Sequence, residues 1–416
     1  MAQEPSGARA VEDKLTTDST VELPAMPVGT ASSFPVVGIG ASAGGLAAFE
    51  AFFSGMPTDT NPNMAFVLVQ HLAPDHKSML TDLIRRFTRM QVFEVEDGMQ
   101  IQPNCAYIIP PNRDMAFING TLQLLSPVEP RGQRLPIDFF FRSLALDQRE
   151  RAIGIVLSGT GSDGTLGVRA IKAEGGMLMA QDPDSAEFDG MPRSAIATGL
   201  VDYVLPPAEM PVQLMAYVAH AFGKPPLLAS IPLSKAEDAL KKIFVALRSH
   251  VGHDFSQYKP STILRRIERR MAVHQLENID SYVRYLHQAP SEVESLFRDL
   301  LIGVTNFFRD PAAFKTLEEL VIPKLFANNP PGSAIRVWST GCSTGEEAYS
   351  LAIALTEAMD ALPAPAHRQV QIFATDLNAD AIASARSGRF AARIAKDLTP
   401  QRLARFFSER PDGYLI

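Results

Sequence analysis

Cysteine is almost missing from this sequence: two thiols, Cys105 and Cys342, occur in 416 residues. That number excludes a disulfide framework and points to a reducing compartment, the cytoplasm, with both thiols free. Long apolar runs are missing too. No stretch approaches the ~18 consecutive apolar residues of a membrane helix, and the start MAQEPSGARAVEDK has no basic region followed by an apolar core. Membrane insertion and secretion are therefore not expected. An excess of basic charge is also lacking: 39 Lys and Arg against 46 Asp and Glu give a net charge of −7. A broad cationic surface for sequence-independent nucleic-acid binding is thereby excluded, although local basic patches are not.

What is present reads as two to three domains at about 150 residues each. Residues 1–33, rich in Ala, Ser, Thr and Pro without an apolar period, read as a disordered lead-in. From Phe34 onward, short apolar runs (PVVGIG, MAFVLVQ, CAYIIP, AIGIVLSG, GMLMAQ, VDYVLP) alternate with amphipathic stretches, which predicts an α/β domain with a parallel sheet over 34–222. AFGKPPLLASIPLS reads as a linker around 223–233. A helical domain follows over 234–303, with capping boxes expected at Ser234/Glu237 and Ser291/Glu294. The α/β pattern returns in 304–416 with the strands AIRVWS and QIFAT.

The first strand runs into Ala41-Ser42-Ala43-Gly44-Gly45 and then a helix, so Ser42 stands on a tight strand-to-helix turn within Gly40-x-Ser42-x-Gly44. His71 follows the second strand. The strand AIGIVLSG ends in GTGSDG, which carries Asp163. In a parallel sheet these carboxyl ends share one edge, and a serine, a histidine and an aspartate there supply a nucleophile, a base and its orienting group, suited to ester or acyl hydrolysis. His76 is a rival base. Gly38-x-Gly40-x-x-x-Gly44 also admits a dinucleotide-binding turn, although Gln70 and His71 stand where an acidic ribose ligand is expected.

GIGASAGG, VQHL, YIIPPNRDMAF (read as a long loop), LSGTGSDG and FDGMPRSAI together resemble, over about 34–215, the catalytic domain of chemotaxis protein-glutamate methylesterases (CheB-type). The resemblance implies Ser42 as nucleophile, His71 as general base and Asp163 as its orienter, with Met191 and Pro192 flanking the site. Ala43 and Thr160 stand where members often carry Thr and Met. Residues 1–33 are too few to form the receiver domain usual in that family, so none is expected ahead of residue 34 in this sequence.

In the last third, Thr340-Gly341-Cys342-Ser343-Thr344-Gly345-Glu346-Glu347 joins a strand to a helix, and Asp376 ends the next strand. A glycine turn with acids and no lysine suits an adenosine-bearing cofactor without phosphates, such as S-adenosylmethionine. Another nucleotide-type ligand stays open. TNFFRD, RVWSTGCSTGEEAYS and ATDLN resemble the chemotaxis receptor methyltransferases (CheR-type), over about 235–416. The resemblance implies S-adenosylmethionine binding through Thr305, Arg309, Glu346 and Asp376. It also makes Arg265, Arg266, Arg269 and Arg270 candidates for docking glutamate-rich receptor helices; on composition alone that basic helix is a solvated face.

The fold class expected is α/β: a parallel-sheet, Rossmann-like esterase domain, a small all-α domain, and a partial Rossmann-like S-adenosylmethionine-dependent domain. The function expected is a bifunctional protein-glutamate methylesterase, with glutaminyl deamidation by the same steps, and O-methyltransferase, acting on methyl-accepting receptors or related sensory proteins. Neither reaction calls for a metal. Two alternatives are a regulatory scaffold with little turnover, motivated by Ala43, Thr160 and Gly303, and a dinucleotide-dependent oxidoreductase. Only two clear strands precede Ile416 where a methyltransferase sheet normally has about seven, so the chain is expected to be a truncated form of a longer protein, with methyl transfer less credible than esterase activity.

Overall fold

The computed structural model describes residues 34–57, 61–70, 79–127, 134–223, 233–301, 303, 305–329, 333–362, 369–390, 392–410 and 413–416. The expected lead-in, His71, His76 and most of the expected linker lie outside the described residues.

Among the described residues, ten strands belong to the first domain: β1 Val36–Ala41, β2 Ala65–Gln70, β3 Gln91–Glu94, β4 Met99–Gln100, β5 Cys105–Ile108, β6 Asp114–Ile118, β7 Thr121–Leu125, β8 Ala152–Val156, β9 Met177–Gln181 and β10 Tyr203–Leu205. Its helices are α1 Gly45–Ser54, α2 Met79–Phe87, α3 Pro136–Gln148, α4 Thr165–Ala173, α5 Gly190–Ile196 and α6 Met210–Phe222. Seven strands form one sheet in the order β10-β9-β8-β1-β2-β5-β3, with every pair parallel. β1, β2, β8 and β9 are buried at every position, as a sheet covered on both faces requires. Its two faces build separate cores, one under α3 around Phe140, Phe141 and Leu144, the other under α1 and α6 around Phe49, Phe52 and Leu214.

The stretch expected as a long loop is only partly one. Asp114–Ile118 pairs antiparallel with Thr121–Leu125 around Asn119-Gly120, both at positive φ (49° and 77°). Asn-Gly accepts that geometry and closes a two-residue hairpin.

The helical domain consists of α7 Leu233–Val251, α8 Pro260–Val273, α9 Ile279–Gln288 and α10 Pro290–Leu300, around Ile243, Leu247, Ile267, Tyr282 and Leu296. The expected capping boxes do not form. α7 already includes Leu233, and Pro290 opens α10, so Ser234 and Ser291 lie inside first turns. Asn278 instead caps α9, accepting from Ser281 N at 2.9 Å.

The basic helix α8 is not a free docking face, which corrects the expectation for three of its four arginines. Arg269 and Arg270 are each only 6% exposed, sealed between the helical and the first domain. Arg269 donates to Gly176 O (2.9 Å) and to Asp299 (2.5 Å), and pairs with Asp202. Arg270 pairs with Glu292, through Nε at 2.8 Å, and reaches Asp202 at 3.4 Å. Lys172 reaches Asp202 at 2.7 Å and Asp299 at 3.3 Å. Arg266 donates to Lys172 O and Ala173 O (3.0 and 2.7 Å), the carbonyls at the carboxyl end of α4, where a cation is favoured. Arg265 alone is exposed, and it faces Glu150 at 3.4 Å. The reason lies in charge: three cations and three carboxylates neutralise one another, and only such pairing makes their burial tolerable.

The last domain contains β11 Ala334–Thr340, β12 Gln369–Thr375, β13 Arg389–Phe390, β14 Ser408–Arg410 and β15 Gly413–Leu415, with α11 Pro311–Thr316, α12 Ile322–Asn328, α13 Glu346–Asp360, α14 Ala379–Ser387 and α15 Pro400–Phe406. The two expected strands, β11 and β12, pair in parallel and end together at Thr340 and Thr375. Three short antiparallel strands, β13-β15-β14, were not expected from the sequence. At two to three residues each they carry no readable alternation.

Burial pushes Glu292 up, but hydrogen bonds from Arg270 and His274 outweigh it and hold the carboxyl down at about 2. Burial likewise opposes ionisation of Asp202, and the charges of Arg269, Lys172 and Arg270 hold it well below the usual carboxylate range. Depressed folded-state values stabilise the junction above the ordinary carboxylate range and lose that contribution as pH falls. The urea midpoint is expected to drop between about pH 4.5 and pH 2, and Glu292→Gln to flatten that drop. At neutral pH, Asp202→Asn should cost about 3–5 kcal/mol in urea unfolding, because it strands buried cations.

Candidate active site and cofactor turn

β1 delivers Ser42 to the carboxyl edge of the sheet, half-buried on the turn into α1. The turn is held from several sides. Ser42 N donates to Ser158 O (2.9 Å), and Ser42 O accepts from Gly45 N (3.0 Å) and Gln70 Nε2 (3.4 Å). Gly44 has φ +72°, and a Cβ there would lie 2.6 Å from Ser158 Oγ. Glycine is required on both counts. The amino end of α1 follows at once, where unpaired N–H groups and the helix dipole favour developing negative charge.

Asp163 is 3% exposed in the loop that follows β8. Its carboxylate accepts three backbone N–H bonds: Ile137 (3.1 Å) and Asp138 (2.9 Å) at the start of α3, and its own neighbour Gly164 (2.9 Å). A carboxylate at a helix amino end is favoured by the dipole and fixed in direction by the bonds. The same Ile137 fills the space beside Gly40, where a Cβ would approach its Cγ2 to 2.4 Å. At Gly38 a Cβ would come within 2.9 Å of Phe141. The glycine series that admits a dinucleotide turn therefore serves the packing of α3 on β1 and the passage of Gly44 over Ser158.

Gly159 joins Ser42 to the flanking loop. A Cβ on it would lie 2.1 Å from Met191 Sδ and 3.0 Å from Ser42 Cβ, and its backbone exchanges bonds with Phe188 O and Met191 N, both at 2.9 Å. The structure thus brings together Ser42, Met191 and the strand end that leads to Asp163. Two buried residues that the sequence reading did not single out, Ser158 and Gln181, lie directly behind Ser42. Their signal was present in the serine of LSG and in the last residue of a strand ending at the same edge.

In the last domain, Asp376 fastens the glycine turn to the end of β12: Oδ2 accepts from Ser343 N and Oδ1 from Asn378 N, both at 2.8 Å. Gly341 and Gly345 have positive φ (72° and 99°), and at Gly345 a Cβ would meet Ala385 at 2.9 Å. Glu346, 5% exposed, opens α13 and accepts from Thr344 Oγ1 at 2.6 Å. The segment carrying Thr305 and Arg309 lies against this turn, since a Cβ on Gly303 would be 3.0 Å from Ser343 Oγ and Phe308 N donates to Ser350 Oγ at 3.0 Å. Phe307 and Phe308 themselves are core, packed on Phe390, Phe407 and Phe314. Burial, and then the Asp376 charge, push the Cys342 thiol up. An acid at the end of β12, another at the start of α13, and no Lys or Arg between 340 and 347 fit a cationic, phosphate-free ligand.

Gly159→Ala forces apart groups on both sides of one Cα. Overpacking of this kind costs about 1–3 kcal/mol, and a lowered melting temperature with loss of labelling at Ser42 by a serine-reactive phosphonate is the expected result.

Residues 37–214 match the family model described as CheB methylesterase, 238–301 that of the CheR methyltransferase all-alpha domain, and 303–416 that of the CheR methyltransferase SAM binding domain. The chain is 40% identical over 361 residues to the "Uncharacterized 104.1 kDa protein in hypE 3'region" of Rhodobacter capsulatus, covering 81% of this chain and 37% of that protein. It is 32% identical over 220 residues to protein-glutamate methylesterase/protein-glutamine glutaminase 1 of Geobacter metallireducens, covering 52% and 59%. The catalytic domain of Thermotoga maritima CheB methylesterase matches with 30% identity and a TM-score of 0.41, over 44% of this chain and 97% of that one. The chain spans less than two thirds of the length of these curated relatives. It joins a domain of the CheB methylesterase family to the all-alpha and SAM-binding domains of the CheR methyltransferase family.

Proposed function

We propose that the first domain hydrolyses glutamyl methyl esters on methyl-accepting receptors or related sensory proteins in the cytoplasm, and that the last domain methylates such glutamates. The observation that carries the esterase reading is Ser42, held on a strand-to-helix turn at the carboxyl edge of a parallel sheet with Met191 and the Asp163 loop beside it. In this reading His71 accepts the Ser42 Oγ proton as Oγ attacks the ester carbon. The C–OCH3 bond breaks, the leaving oxygen takes the proton, and methanol departs. Water, deprotonated by His71, then cleaves the acyl-enzyme to the free glutamate. Asp163 orients the base. A glutaminyl side chain would pass through the same steps with ammonia as leaving group. The support is the fit of an electrophile-attacking serine to that turn, and the name carried by the relatives that match this domain.

In the last domain Glu346 and Asp376 would hold S-adenosylmethionine together with Thr305 and Arg309. The cofactor supplies an electrophilic methyl. A substrate carboxylate is already nucleophilic, so the protein's task is to position it.

Ser42→Ala should abolish methanol release from methyl-esterified receptor fragments; equal release from both proteins would end the serine-esterase reading. Asp376→Ala removes the acceptor for Ser343 N and Asn378 N. Calorimetric titration is expected to show S-adenosylmethionine bound roughly tenfold or more weakly by that variant, the loss that follows from buried donors left unpaired.

A further inference from the structure

We propose that Ser158 is a positioning residue of the esterase, its hydroxyl tying the nucleophile turn to the loop that flanks the site; this rests on the esterase reading of Ser42. Ser158 is 1% exposed and lies two residues beyond Val156, the end of β8. Its carbonyl holds Ser42 N at 2.9 Å. Its Oγ sits 2.9 Å from Ala43 O and 3.3 Å from Phe188 O, and accepts from Phe188 N at 3.0 Å. A hydroxyl has one hydrogen, and the shorter contact gives it to Ala43 O. The lone pairs are left for Phe188 N. One side chain therefore grips the residue next to the nucleophile and, with its other hydrogen-bonding capacity, the loop three residues before Met191.

Ser158 is itself held. Its N donates to Gln181 Oε1 at 2.8 Å, and Gln181 Nε2 donates onward to Ser185 O at 2.9 Å, at the start of the same loop. Gln181 is 2% exposed and ends β9. Two adjacent strand ends thus clamp both walls of the site with buried, mutually satisfied polar groups. Such networks fix one geometry because each partner has no water to turn to. A serine nucleophile depends on that fixity, since displacement by about 1 Å costs about 100-fold in rate.

The test uses the full chain, a methyl-esterified glutamyl peptide, and the rate of Ser42 labelling by a fluorophosphonate. Ser158→Ala is expected to lower kcat and the labelling rate by about 10- to 100-fold with KM nearly unchanged, and Ser158→Thr, which keeps the hydroxyl, to recover most of the loss. Thermal unfolding checks that the variants fold. If Ser158→Ala does not, Ser158→Cys, with its weaker donor and acceptor, is expected to fold and to label several-fold more slowly than wild type. The proposal is overturned if Ser158→Ala (or the cysteine variant in its place) labels at the wild-type rate, if the loss lies in KM, or if Ser158→Thr is as slow as Ser158→Ala. Failure of the esterase reading shows elsewhere, as methanol release by Ser42→Ala equal to wild type.

Discussion

The close approach of α3 to β1 is the constraint on which the candidate site around Ser42 depends. Gly38 and Gly40 leave two positions of the strand without a Cβ, and Phe141 and Ile137 occupy the space. That approach brings the amino end of α3 to the carboxyl edge of the sheet, where the N–H groups of Ile137 and Asp138 receive the Asp163 carboxylate. The strand that leads to Ser42 and the loop that carries Asp163 are in this way referenced to one helix. A larger residue in β1 would lift α3, and the aspartate would lose its direction along with two of its donors.

The junction between the first two domains obeys a different physics. It is an ionic cluster, out of water, that balances because Lys172, Arg269 and Arg270 meet Asp202, Glu292 and Asp299. Replacing such a cluster with apolar groups often stabilises a fold, so its value lies in geometry: an arginine fork donates to carboxylates only in a few directions. Apolar contact supplements it, with Ala272 and Val273 at the end of α8 entering the core beneath α6 and Tyr203 donating to Val273 O. The helix that by composition looks like a solvated basic face is a tenon in the neighbouring domain.

This is also where sequence reading reaches its limit. The parallel sheet, the Ser42 turn, the GTGSDG loop and the Asp376 strand end were all legible, because each is a local pattern of apolar period and glycine placement. Arg269 and Arg270 were not, since an arginine looks the same on a solvated helix and in a buried cluster until its carboxylate partners are found about 20 to 70 residues away. The capping boxes failed for a simpler reason: Leu233 and Pro290 extend their helices by one residue ahead of each serine. Ser158 and Gln181 went unnoticed because their roles come from the register that sets β8 beside β1 and β9. A single strand does not disclose its neighbours.

The two edges of the central sheet carry separate duties. Ser42, Ser158 and the Asp163 loop follow strand carboxyl ends, whereas Asp202, Gly176 and the end of α4, which bind the helical domain, precede β10 and β9. In an all-parallel sheet these edges lie apart by the length of the strands, about 17 Å for five residues. The helical domain is therefore seated at the edge away from the Ser42 turn. The same rule orders the last domain, where the glycine turn and Asp376 follow the carboxyl ends of β11 and β12. Both candidate sites arise from one property of parallel strands: backbone leaving the carboxyl edge must turn, and the turn leaves N–H groups and short side chains facing outward. In the first domain that turn presents a hydroxyl, and in the last it presents acids, so one architecture gives its two candidate sites different chemistry, a neutral hydroxyl and a pair of carboxylates.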